Sequence, residues 1–210
     1  MVPMTERKES KYMRSYEERA KDFIKEIFPY IHDYMGSPWC MHEVVDQFNK
    51  EHSRHVQMRS GCARIALLTS DYVVKFDYDE DTVDEIGGCL NEMYMYDIAE
   101  REGYAYLFAK ITHVTYQDRD FFIMPRIRTD EVYGSAWHHL TDAEASWCHK
   151  HSITDLHSGN YGFRNGHVCI FDYGYINNMV DSPRSYGSYK GSDFTPVSTS
   201  DGWEKRVSFS

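Results

Sequence analysis

Residues 153–175 read ITDLHSGNYGFRNGHVCIFDYGY, and this stretch decides the fold. Asp155 and Asn160 lie five apart around Gly159, which predicts a tight loop and not a helix. Asn165-Gly166 is the strongest short-range hairpin signal in the chain, and it joins YGFR to HVCIFD. A hairpin there returns Asp172 to the end of the sheet that carries Asp155. Two carboxylates and one amide would then converge. Such a hard-oxygen set can hold a divalent cation, with water and phosphate completing the shell. Phosphoryl transfer needs that arrangement plus a group that orients the attacking hydroxyl.

Upstream of this stretch the hydrophobic period changes from 3.6 to 2 after residue 54. Segments 55–59, 63–68 and 72–77 read as strands, with Gly61 in the first connection and Thr69-Ser70-Asp71 as a polar turn. In YVVKFD the alternation places Val73 and Lys75 on one face and Val74 and Phe76 on the other. A helix is predicted over 83–101, with Ile86, Leu90 and Met93 toward a core and Gly103 at its C-cap. Strands 111–116 and 120–124 follow around Gln117-Asp118-Arg119. The expected class is α+β, a mostly antiparallel five-stranded sheet with one helix. Two amphipathic helices precede it. The first runs over 16–28 from the capping box Ser15/Glu18 and ends near Pro29, and the second opens at Ser37-Pro38. Thr141 and Glu144 form another capping box, opening a short helix that reaches about Lys150.

Composition limits what this domain can do. The chain has 210 residues, a formal charge of -10 and a sequence pI near 5.5. That balance argues against nucleic-acid binding through bulk charge and against an anionic membrane surface as partner. Aromatic residues make up 15%, too many for a disordered acidic chain. Cys40, Cys62, Cys89, Cys148 and Cys169 are odd in number and contain no CxxC pair, so a reducing cytoplasm is the expected compartment. No apolar run reaches membrane-spanning length. His138, His139, His149, His151 and His157 crowd around Cys148, but their spacings fit no compact zinc motif.

Asp155-Leu156-His157-Ser158-Gly159-Asn160 resembles the catalytic loop of the protein-kinase-like superfamily, and Asp172-Tyr173-Gly174 resembles its metal-binding Asp-Phe-Gly. Asp-Leu-His-x-Gly-Asn, a hairpin and then Asp-x-Gly is the order typical of aminoglycoside-phosphotransferase-like and small bacterial or phage kinase-like proteins. The resemblance implies ATP and Mg²⁺ as cofactors, with Asn160 and Asp172 as metal ligands and Asp155 facing the acceptor hydroxyl. It makes YVVKF the third strand, with Val73 lining the nucleotide pocket and Lys75 at the phosphates. Glu92 becomes the acid that holds Lys75, with Glu85 as the competing candidate. FFIMPRI would run into a hinge where backbone groups of Met124, Pro125 and Arg126 meet an adenine edge. Ser60-Gly61-Cys62-Ala63 would cover the phosphates, with one glycine where the protein-kinase pattern has three.

The sequence departs from the family in three places. Ile153 stands where protein kinases usually carry histidine, about 27 residues separate hinge from catalytic loop, and 36 residues follow Asp172-Tyr173-Gly174 with no Ala-Pro-Glu motif. The expected organisation is a helical extension over 1–53, a kinase-like N-lobe over 54–128, a reduced C-lobe over 129–176 carrying both loops, and a polar Ser/Tyr-rich tail over 177–210. The implied activity is ATP- and Mg²⁺-dependent phosphoryl transfer to a hydroxyl, with a protein Ser/Thr placed ahead of a small molecule. A pseudokinase or binding module that sequesters a protein partner is the alternative. A homo-oligomer through the N-terminal helices is left open.

Overall fold

The computed structural model describes residues 14–35, 38–61, 64–77, 88–129 and 132–174, together with two short strands at 197–198 and 203–205. Helix α1 (Tyr16–Ile31) starts at the expected capping box, with both reciprocal bonds between Ser15 and Glu18 present. It continues through Pro29, two residues beyond which Ile31 is fully buried. A proline this close to the C-terminus removes one backbone bond, and burial of Phe28 and Ile31 outweighs that loss. Helix α2 (Pro38–His52) follows, while its expected cap Ser37 lies outside the described residues.

Five strands form an antiparallel sheet in the order β1-β2-β3-β5-β4: β1 (Gln57–Ser60), β2 (Arg64–Leu68), β3 (Tyr72–Asp77), β4 (Thr112–Tyr116) and β5 (Arg119–Pro125). Gln117 and Asp118, both at positive φ, make the tight turn from β4 to β5. Helix α3 (Cys89–Glu102) lies between β3 and β4 in sequence and ends on Gly103 at φ 83°. A second cluster of elements comprises α4 (Asp142–Lys150) and the hairpin β6 (Tyr161–Arg164)/β7 (His167–Ile170). Asn165 and Gly166 turn that hairpin with φ 54° and 80°. The expected α+β, protein-kinase-like two-lobed architecture is the one observed, with the sheet in one lobe and the loop-and-hairpin unit in the other. The polar tail falls largely outside the described residues. Two of its pieces, β8 (Val197–Ser198) and β9 (Trp203–Lys205), extend the sheet beyond β4. This gives the β4 edge a hydrogen-bonded neighbour.

Both faces of the sheet are covered, and this positions the site. On one face Ile65, Leu67, Val74, Phe76, Phe121 and Ile123 share a single core with Phe23, Ile24, Ile27 and Phe48 of the two N-terminal helices. On the other face Val73, Phe122 and Met124 pack with Cys89 at the start of α3 and Cys169 of the hairpin. β3 is therefore buried on both sides, and the alternation read in YVVKFD separates these two layers. The lobes are joined near Phe108, which bridges to Ile170, and Ala109 N–H donates to Ile170 O at 2.8 Å. Among the described residues no helix is long and apolar enough to cross a membrane.

Candidate functional site

Strand register places the polar groups of the inner face together. β2 pairs with β3 so that Arg64 faces Asp77, Ala66 faces Lys75 and Leu68 faces Val73. Directly opposed residues of an antiparallel pair share a face, so Arg64 lies on the same side as Lys75. β5 then sets Phe122 opposite Lys75 and Met124 opposite Val73. Asp77 accepts from the N–H of Cys89 at 3.1 Å, so this carboxylate caps α3 where the helix has no side-chain cap of its own. Burial raises the Asp77 carboxyl above its ordinary range, opposed by its hydrogen bonds from Cys89 and by Arg64.

The capped helix delivers Glu92, whose side chain is completely buried, to the centre of the site. Lys75 Nζ donates to both Glu92 oxygens, at 2.8 and 2.9 Å, and to the carbonyl of Phe171 at 2.7 Å. Arg64 Nη1 donates to Glu92 Oε1 at 2.8 Å, and Arg64 Nη2 pairs with Asp172 Oδ1. Tyr173 N–H adds a longer bond to the same Glu92 oxygen at 3.4 Å. One buried carboxylate thus holds two cations from two strands, a charge-assisted network of the strong kind. Burial acts to lower the Arg64 pKa, but the carboxylates of Glu92 and Asp172 outweigh it and raise it, so the guanidinium stays charged. Burial alone would push the Asp172 carboxyl up, yet Lys75 and Arg64 hold it below its ordinary range. Glu85, the competing candidate, lies outside the described residues.

The loop that carries Asp155 is locked by its own backbone. Asn160 Nδ2 donates to Asp155 O at 2.8 Å, and Asn160 N–H to His157 O at 2.9 Å. The carbonyl of Asn160 accepts from Phe171 and Asp172 N–H at 3.0 and 3.3 Å, tying the loop to the turn after the hairpin. Gly159 N–H donates to His157 Nδ1 at 3.0 Å, which leaves the His157 proton on Nε2, facing Asp155 Oδ1 at 3.6 Å. A Cβ at Gly159 would meet the His157 ring at 2.7 Å, so a side chain there would displace that imidazole. The Asp155 carboxylate itself is half exposed and open to an incoming group. At the other end of the turn, a Cβ on Gly174 would meet Arg64 Nη1 at 2.5 Å and Gly88 O at 2.7 Å.

The other expected site residues lie on the strands and turns around this network. Gly61 N–H donates to Arg64 O at 2.9 Å, closing the β1–β2 turn, and Ser60 is exposed at the end of β1. Cys62 and Ala63 lie outside the described residues. The Arg126 N–H, expected at an adenine edge, donates to Asp71 O at 2.9 Å, and its side chain turns to Thr69 and Gln57. Asp71 and Thr69 sit in the β2–β3 turn, so pairing there captures the residue expected in the hinge. Val73 and Met124 do face inward, and Ala66, Leu68, Ile127 and Phe171 border them as partly buried apolar surface. Arg64 was not among the expected residues. The period-2 pattern of RIALL puts it on the face of Ala66 and Leu68, and pairing with YVVKFD carries that face to Lys75.

Among the described residues no group of three or more His, Cys, Asp or Glu side chains is placed to hold a metal. Near α4, His149 stacks on Trp137 at 4.4 Å and His151 lies tilted against Trp147 at 4.3 Å. A separate pocket of about 560 Å³, lined by Tyr106, His139, Glu144, Phe163 and His167 among others, contains none of the expected site residues.

The solved streptomycin–ATP–APH(2")-IIa ternary complex is similar over 63% of this chain and 70% of that one, at 16% identity and a TM-score of 0.32. No protein-family model and no curated protein matches the chain.

Proposed function

We propose that this protein binds a nucleoside triphosphate in the cleft between its lobes and transfers the terminal phosphoryl group to a hydroxyl. The observation that carries the reading is the buried Lys75–Glu92 pair, held in register with Asp172 and with the Asp155–Asn160 loop. A buried ion pair of this kind stabilises poorly compared with apolar packing, so its presence is better explained by a task at an anion.

The roles follow from the geometry. The apolar border of Ala66, Leu68, Val73 and Met124 receives the base. Lys75 presents its ammonium to the phosphates, and Glu92 keeps it from swinging away. Asp155 orients the acceptor and takes its proton as the new oxygen–phosphorus bond forms. The bond from the terminal phosphorus to the bridging oxygen breaks, and the nucleoside diphosphate leaves. Positioning and fixed charge supply most of the rate in such a transfer.

The donor set also suits Mg²⁺. Asn160 and Asp172 are adjacent hard-oxygen residues. One or two protein ligands are enough for Mg²⁺ when phosphates complete its shell, so no larger cluster is needed. When bound, the ion would neutralise phosphate charge at Asn160 and Asp172.

A second reading has its own observation. Because Arg64 occupies the Asp172 carboxylate, the same cleft could hold nucleotide without turnover, as a binding module that acts on a partner. Incubation with terminally labelled ATP, Mg²⁺ and cell extract separates the two. Label on a protein or on a small molecule, lost in Asp155→Asn, supports transfer and identifies the acceptor class. Nucleotide binding without any label transfer supports the module.

A further inference from the structure

Arg64 lies in the phosphate-binding half of the proposed site, and none of the transfer roles above uses it. Its side chain is 15% exposed, and it reaches two carboxylates that would otherwise face each other across the cleft. Gly174 makes the seat, since even a methyl group there would fall 2.5 Å from Nη1. The seat is therefore built from three elements: the start of β2, the first turn of α3 and the turn after β7.

We propose that Arg64 is the resident cation of this site, so that a triphosphate binds it without a divalent metal. The inference rests on the nucleotide-site reading given above. In the structure the guanidinium satisfies Asp172 and shares Glu92 with Lys75. A planar fork of N–H donors suits a phosphate as well as it suits a carboxylate. An arriving triphosphate therefore meets two positive side chains, Lys75 and Arg64, that are already fixed by Glu92. Free divalent ions meet the opposite situation, because the Asp172 oxygen they need is paired and a positive charge stands beside it.

The experiment uses the full chain with ATP and with Mn²⁺ as separate probes. Calorimetry with ATP is run in EDTA and in Mg²⁺. Mn²⁺ alone is followed by paramagnetic resonance. The wild-type protein is expected to bind ATP in EDTA with an affinity within about tenfold of that in Mg²⁺. Arg64→Gln should lose about tenfold or more of the EDTA affinity and bind Mn²⁺ about tenfold tighter. Arg64→Lys, which keeps the charge but loses the planar fork that reaches Asp172, should tighten Mn²⁺ binding in the same direction; this arm is independent of how well Arg64→Gln folds. Strictly Mg²⁺-dependent ATP binding in the wild type, with Mn²⁺ affinity unchanged in both variants, overturns the role of Arg64 and leaves the nucleotide site standing. Absence of ATP binding in either buffer overturns both.

Discussion

Glu92 and Lys75 are chemically a pair but energetically unequal. Glu92 is fully buried and compensates two cations, Lys75 and Arg64. Glu92→Gln leaves both cations short of a partner, and we expect a loss of about 3–5 kcal/mol in urea unfolding. Lys75→Met leaves Glu92 still bonded to Arg64, so its cost should be smaller, about 1–3 kcal/mol. Equal costs for the two variants would mean that Arg64 does not share the charge of Glu92. Asp155 behaves differently because it is half exposed. Asp155→Asn should change stability by no more than about 0.5 kcal/mol while lowering any phosphoryl transfer by about 10²–10⁴-fold. At this scale the sequence was legible where a motif spans few residues, as in the Asp155–Asn160 loop. It was opaque at Arg64, whose partners lie 28 and 108 positions away. Only strand parity combined with register points to that residue. The capture of Arg126 by the β2–β3 turn was hidden for the same reason.

The elements themselves were largely readable, because capping boxes and turn dipeptides act over three or four residues. Ser15/Glu18, Thr141/Glu144 and Asn165-Gly166 each produce the local structure they specify. The destination of α1 and α2 was not readable, since an amphipathic stripe does not say what it packs against. In the structure they cover the outer face of the sheet. Ile24→Ala or Ile27→Ala should therefore cost about 2–5 kcal/mol, as for a fully packed core position. Removing residues 1–53 should expose Ile65, Leu67, Val74 and Phe76 together, giving a protein that binds a hydrophobic dye or aggregates. A soluble, dye-negative truncation would show that the helices are dispensable cover.

The contact between α3 and α4 offers a titration test. Glu102 accepts from Lys150 Nζ at 3.1 Å and from Trp147 Nε1 at 2.8 Å, and these bonds lower its pKa to about 2. A depressed folded-state pKa contributes stability above the unfolded value and loses it as pH falls toward the folded one. The stability gap between wild type and Glu102→Gln should thus be full at neutral pH, shrink below about 4.5 and vanish below about 2. Urea midpoints at pH 7 and pH 3.5 measure the trend, and a gap that widens on acidification would contradict it.

At the scale of the molecule, a chain of formal charge -10 is read here as the binder of an anion. The net charge and the proposed ligand are compatible only if positive charge is concentrated and held in place, and Lys75 and Arg64 meet that condition on the inner face of the sheet. The N-terminal helices share one core with the sheet, while α4 and the hairpin build a second around Phe108, Trp147 and Tyr161. Sheet and hairpin thereby each rest on a core of their own, which is what the proposed site, working by positioning, would require. Calorimetric titration of ATP into the wild-type protein and into Lys75→Met tests this most directly. Saturable binding by the wild type, weakened by about tenfold or more in Lys75→Met, is the predicted result. Absence of binding, or equal affinity in the two proteins, would contradict it.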